Sequence, residues 1–172
     1  MKKTEFYIKK EQIIKDNSVV SKAKDYLEKA RYNLATLEIL DKININKSAR
    51  KILDIPDNYL SYEWAVICGY YAMYSAALGL IAKIGFRSKN HSATIAILEE
   101  YFVKKKLLEE DIYLLLKNAS LKKEELQELS EARQKREIAQ YSITKQTTKE
   151  IAEKIKKDAY SFVNKCEEII KK

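Results

Sequence analysis

The sequence predicts an all-α protein, an up-and-down bundle of about five main helices, on three observations. The 172 residues include only three glycines and one proline. Sheets and long loops use those residues as punctuation, so their scarcity favours long helices joined by short turns. Lys, Glu, Leu, Ile and Ala supply the bulk of the chain, and all but Ile are strong helix formers. Apolar residues also recur at helical spacing in successive segments. The length suits one domain over residues 1–172 with a core of its own, residues 1–17 forming a loosely docked N-terminal arm.

Along the chain, residues 3–16 set Phe6, Tyr7, Ile13 and Ile14 among lysines, a pattern for a short late-docking helix or a frayed arm. The first long helix is expected from about Ser18 to Asp41, where Leu27, Ala30, Leu34 and Leu37 keep helical spacing. Asn44, Asn46 and Pro56 make the next stretch a connector, with a short turn of helix near Ala49 to Leu53. A central helix is expected from about Asn58 to Ile84, with Gly85 at its left-handed C-cap. Asn90 is placed to cap a helix from about His91 to Lys104. A short helix near Glu109 to Lys117 and another from about Lys122 to Ser142, opened by Ser120, come next. Thr147 to Glu150 has capping-box spacing and opens the last helix, whose inner face carries Ile151, Ile155, Ala159, Phe162, Val163 and Ile169.

The central helix is uncharged from Trp64 to Ala82, close to membrane-spanning length. Gly69, Tyr70, Tyr71, Tyr74, Ser75 and Gly79 moderate its hydropathy, so it reads as a helix buried all round in a bundle, and no membrane partner is expected. The N-terminus has no apolar run behind its lysines and does not read as a signal peptide. Two cysteines outside any CxxC pattern give no disulfide framework, which points to a reducing, cytoplasmic setting. A lone histidine rules out a His-rich metal site, and neither metal nor cofactor is expected. Gly-rich phosphate loops and paired-Asp nucleotidyltransferase motifs are absent from the sequence.

The net charge of +8, with a pI near 9.2, suits a chain that meets RNA, DNA or an acidic protein. It equally suits a lysine-rich surface that serves solubility, because the charge is spread along the whole sequence.

Within that frame, a few residues offer chemistry. His91 is the one side chain whose ordinary pKa fits proton transfer at neutral pH, and it also sits where a helix start would use it for packing or capping. Arg87 and Lys89 flank it and suit a phosphate, or a solvated turn. Arg133 and Arg136 are three apart and share a helix face, where they either clamp a phosphate or pair with Glu128 and Glu131. The tyrosines at 70, 71 and 74 read as core or dimer interface ahead of base-stacking platforms.

Three blocks taken in order resemble a known family. They are Tyr70-Tyr-Ala-Met-Tyr-Ser-Ala-Ala77, Lys83-Ile-Gly-Phe-Arg-Ser-Lys-Asn-His91 and Ala132-Arg-Gln-Lys-Arg-Glu-Ile-Ala-Gln-Tyr141. Over residues 20–165 this pattern resembles the HEPN (higher eukaryote and prokaryote nucleotide-binding) domain. The resemblance implies a helical bundle, usually a homodimer, often encoded with a minimal nucleotidyltransferase in a toxin–antitoxin-type pair. Many members are metal-independent ribonucleases in which Arg and His of an Arg-x(4–6)-His signature face a cleft at the dimer axis. A neutral-range proton carrier and a fixed cation on the phosphate are what cleavage through the 2′-OH requires.

With four to six residues intervening, Arg133 leads to Ile138, Ala139 and Gln140, and Arg136 to Tyr141, Ser142 and Ile143; none is histidine. The chain instead resembles a HEPN branch with Arg, a spacer, a small residue, Asp and Tyr, on Arg136, Ala139, Gln140 and Tyr141, with Gln where the acid is usual. The expectation is a dimeric nucleotide- or RNA-binding module or nucleotidyltransferase partner, catalytically weak or inactive. Binding falls to Arg133, Arg136, Gln140, Arg87 and Lys89. The alternatives are a ribonuclease toxin using Arg136 with Tyr141 or His91, and a helical adaptor with no nucleic-acid role.

Overall fold

The chain folds around α4 (Tyr62–Lys83), whose burial on nearly every side explains its lack of charge. It is the one described helix long and apolar enough to cross a membrane, with a mean hydropathy of 1.6, but 72% of its apolar window is buried inside the bundle. The computed structural model describes the backbone of residues 3–136 and 148–172 and the side chains of residues 3–124 and 148–172.

Two long helices flank α4 closely: α2 (Ala23–Ile45) and α7 (Lys149–Lys171). Gly69 makes the approach feasible: a Cβ there would lie 2.5 Å from Ile155 Cγ2 and 3.2 Å from Leu37 Cδ1. Nearly three turns on, a Cβ at Gly79 would lie 3.0 Å from both the Ala23 carbonyl oxygen and Ile170 Cδ1. These pairs run α2 antiparallel and α7 parallel to α4. On α7, Ala152, Ile155, Ala159, Phe162, Val163 and Cys166 are buried at the three-to-four spacing of an amphipathic helix. Lysines on its other face reach neighbours, as where Lys156 bridges Glu38 at 2.9 Å and Asp41 at 2.8 Å.

The all-α expectation holds, while several boundaries move for physical reasons. The expected helices near 109–117 and 122–142 run together as α6 (Glu110–Arg136), and residues 137–142 of the second lie outside the described residues. No Gly or Pro interrupts the stretch, and Ser120 is buried in the helix instead of capping one. The helix beginning at His91 is α5 (His91–Leu98); it loosens into a π-turn over Glu99–Val103 before a tight turn with Lys106 at φ 58°. The central helix starts at Tyr62, because residues 53–61 belong to a connector after the short α3 (Lys47–Ile52). Arg50 fixes that connector: its buried guanidinium donates to the carbonyls of Pro56, Asp57 and Tyr59. The cap of α7 is Thr148, whose hydroxyl accepts from the Ile151 N–H; Thr147 lies outside the described residues.

The arm is better anchored than its sequence suggests. It comprises α1 (Lys3–Lys9), the strand β1 (Ile13–Lys15) and a 3-10 turn over Asn17–Lys22. β1 pairs antiparallel with β2 (Phe86–Ser88), Ile14 opposite Arg87. Gly85 permits the junction: it has φ 73°, and a Cβ there would lie 2.6 Å from Asn17 Oδ1. Its carbonyl accepts from the Asp16 N–H at 2.8 Å.

Candidate functional site

The β2–α5 turn delivers His91 onto the tyrosine face of α4. Asn90 caps α5, its side chain accepting from the Ala93 N–H at 2.8 Å, so His91 is the first helical residue. Nδ1 of His91 is hydrogen-bonded to the buried hydroxyl of Tyr70. The Tyr74 ring lies against the imidazole with centroids 4.2 Å apart, and Tyr70 stacks on Tyr74 at 6.0 Å. From α6, Lys123 holds its ammonium 5.8 Å from the ring centroids of both Tyr70 and Tyr71, within cation–π range.

Proton positions in the cluster follow from its surroundings. Burial pushes the Tyr70 phenol far above its ordinary value, so it stays protonated, while a hydrogen bond from Ser120 acts the other way. The phenol and Nδ1 of His91 share one hydrogen bond, whose donor depends on the imidazole tautomer. Burial, and next the Lys123 charge, hold the imidazole below its ordinary 6.5, with Glu124 opposing. His91 is therefore neutral at neutral pH, with Nδ1 occupied by Tyr70 and Nε2 left for a ligand or a proton relay.

The surroundings combine apolar surface with charge. Tyr71, unlike Tyr70, has its ring exposed. A groove of about 270 Å³ opens beside the cluster between α1, α5 and α6, lined by residues that include Tyr7, Ser92, Ile95, Lys117, Ser120 and Glu124. An exposed aromatic ring, an ammonium and hydroxyl donors can stack a base and hold an anion.

The residues singled out from sequence separate into two regions. Arg87 and Lys89 do flank His91 in the chain, but β2 turns them to the arm. Arg87 is exposed and pairs with Asp16 at 3.3 Å, and the Lys89 N–H donates to the Gln12 carbonyl. Arg133 and Arg136 lie in the last described turn of α6, and their side chains lie outside the described ones. Arg136 is 13 residues beyond Lys123, about 20 Å of helix axis, so within one chain it belongs to a different stretch of α6 from the His91 cluster. Gln140 and Tyr141 lie outside the described residues. Sequence reasoning missed Ser120 and Lys123, for which periodicity gives no signal, and it read Tyr70 as core or dimer interface ahead of a base-stacking platform. Among the described residues, no group of three or more His, Cys, Asp or Glu could hold a metal.

Comparison with known proteins agrees with this architecture. The model of the HEPN domain matches residues 46–169. The chain belongs to the HEPN family. A UPF0332 protein of Archaeoglobus fulgidus is 29% identical over 133 residues, covering 76% of this chain and 95% of that relative. No solved structure matches. The docked arm and α2 precede the part that matches the HEPN model, so the groove beside His91 takes one wall, Lys3 and Tyr7, from outside the matched domain.

Proposed function

We propose that this HEPN protein is a dimeric module that binds a nucleotide or single-stranded RNA at the His91 cluster. It would serve as the partner of a minimal nucleotidyltransferase in a toxin–antitoxin-type pair, with weak or no catalysis of its own. The observation that carries the reading is the Lys123 ammonium poised over Tyr70 and the exposed Tyr71 beside a neutral imidazole. The surplus of eight positive charges supports it by steering a polyanion to the surface. Low catalysis is supported by the absence of histidine from the Arg136 motif and by the stretch of helix between Arg136 and His91.

One observation favours the second reading, a metal-independent ribonuclease: an imidazole held neutral at physiological pH accepts a proton at Nε2 in the tautomer whose Nδ1–H donates to the Tyr70 oxygen. The two readings part on one experiment. Fluorescently labelled single-stranded RNA is incubated with the full chain in EDTA, and both anisotropy and cleavage are followed for wild type, His91→Ala, Tyr71→Ala and Arg136→Ala. Binding that weakens with salt and with Tyr71→Ala, without cleavage, is the expected result. Cleavage lost in His91→Ala supports the ribonuclease, and no binding at low salt overturns both.

A further inference from the structure

Large exposed apolar side chains concentrate at one end of the bundle. Ile45, Ile52, Leu53, Tyr59, Leu60 and Trp64 fall within 20 consecutive residues spanning the end of α2, α3, the connector and the start of α4. Ile52 is 81% exposed and Trp64, the chain's one tryptophan, 56%. Single exposed apolar residues are ordinary, but a cluster of this kind marks a contact surface.

The frame beneath these side chains is built. Arg50 buries a guanidinium to hold three connector carbonyls, and the Ile55 N–H donates back to the Arg50 carbonyl at 2.9 Å. Ser61, fully buried, donates to the Leu40 carbonyl at 3.1 Å, and its N–H donates to Asn44 Oδ1 at 3.1 Å. The connector is thus tied to α3 behind it and α2 below it. A surface ordered before contact loses less entropy on binding.

Charge selects the occupant. The chain carries +8 overall, so two copies repel across most of their surface. Over residues 45–64, however, Arg50 is buried, and Lys47 and Lys51 stand against Asp54, Asp57 and Glu63. The stretch is close to neutral and carries both signs, as an isologous contact needs when one patch meets itself about a two-fold axis. A polyanion or an acidic protein would find no positive excess here. Tyr71, seven residues after Trp64 and so on the same side of α4, continues the surface towards the His91 cluster.

We infer that this face, which includes Ile52, Leu60 and Trp64, is the contact between two copies of the chain. The inference rests on the dimeric part of the function proposed above and names the face that the pairing uses. The test is sedimentation equilibrium of the full chain, read together with Trp64 emission over a broad dilution series. Wild type is expected to sediment as a dimer, with emission that moves to the red as dilution dissociates it. Leu60→Glu and, independently, Ile52→Glu are expected to weaken association by about 100-fold or more, with red emission at every concentration and unchanged helical circular dichroism. Leu121→Glu, exposed on α6, is expected to remain dimeric. Both face variants remaining dimeric would overturn the face while leaving a dimer. A wild type monomeric at all concentrations would overturn the face and the dimer together, and shielded Trp64 emission in that monomer would mean the same chain covers the patch.

Discussion

The Tyr70 hydroxyl and Nδ1 of His91 form a hydrogen bond that joins the middle of α4 to the first residue of α5, 21 positions apart in the sequence. Because Tyr70 is buried and His91 only partly so, the bond fixes one face of the imidazole and leaves the other to solvent or ligand. The pair also makes His91 a reporter: it is the one histidine, so a single imidazole signal tracks the site.

Lys123→Gln should raise the His91 pKa. The Lys123 charge is the second cause, after burial, that holds the imidazole below 6.5. Removing it relieves part of the depression, and the Glu124 carboxylate then acts with less opposition. The measurement is an NMR titration of the imidazole signal in wild type and variant. An unchanged midpoint would place Lys123 away from the ring.

The same shift sets a pH dependence of stability. The folded pKa of His91 lies below the unfolded value, so the unfolded chain binds more protons between the two. The contribution is present in full above about pH 6.5 and is lost as pH falls through the lowered folded value. Urea denaturation from pH 8 to pH 5 should show a decline in this window that His91→Asn makes shallower.

Tyr70→Phe keeps the ring and removes the hydroxyl bonded to Nδ1. It should lower unfolding free energy by about 1–2 kcal/mol, the cost of leaving a partly buried imidazole nitrogen without this partner. Chemical denaturation gives the value, and a change within error would mean water replaces the phenol freely.

Gly69→Ala should destabilise by about 1–3 kcal/mol through overpacking. The added methyl meets the Ile155 Cγ2, which is β-branched and close to its own backbone, so α7 itself must give way. A lowered denaturation midpoint with an unchanged slope is expected; an unchanged midpoint would mean that α4 and α7 are not held so closely.

Much of the fold is legible in the sequence. The scarcity of Gly and Pro and the spacing of Leu27, Ala30, Leu34 and Leu37 announce α2, while Gly85 and Asn90 mark the turn before His91. What stays hidden is tertiary. Ser120 looks like a helix opener because its side chain competes for backbone bonds, yet packing beside Tyr70 keeps α6 continuous through it. The three residues of β1 are too few for an alternating pattern to register, and their pairing with β2 is long-range. Arg50 reads as one basic residue among many until the connector carbonyls are seen around it. Of the candidate site, His91 was legible from its ordinary pKa and its place in the motif, whereas Lys123 joins the site only because α6 passes over the tyrosines.

The most direct measurement is the His91 imidazole signal during titration with a short single-stranded RNA at low salt, using wild type and Tyr71→Ala. The expected result is a saturable shift of that signal in the wild type, reversed by added salt and weakened several-fold by Tyr71→Ala. An imidazole signal that stays in place while RNA binding is detected by anisotropy would put the contact elsewhere on the protein and contradict the His91 cluster as the binding site.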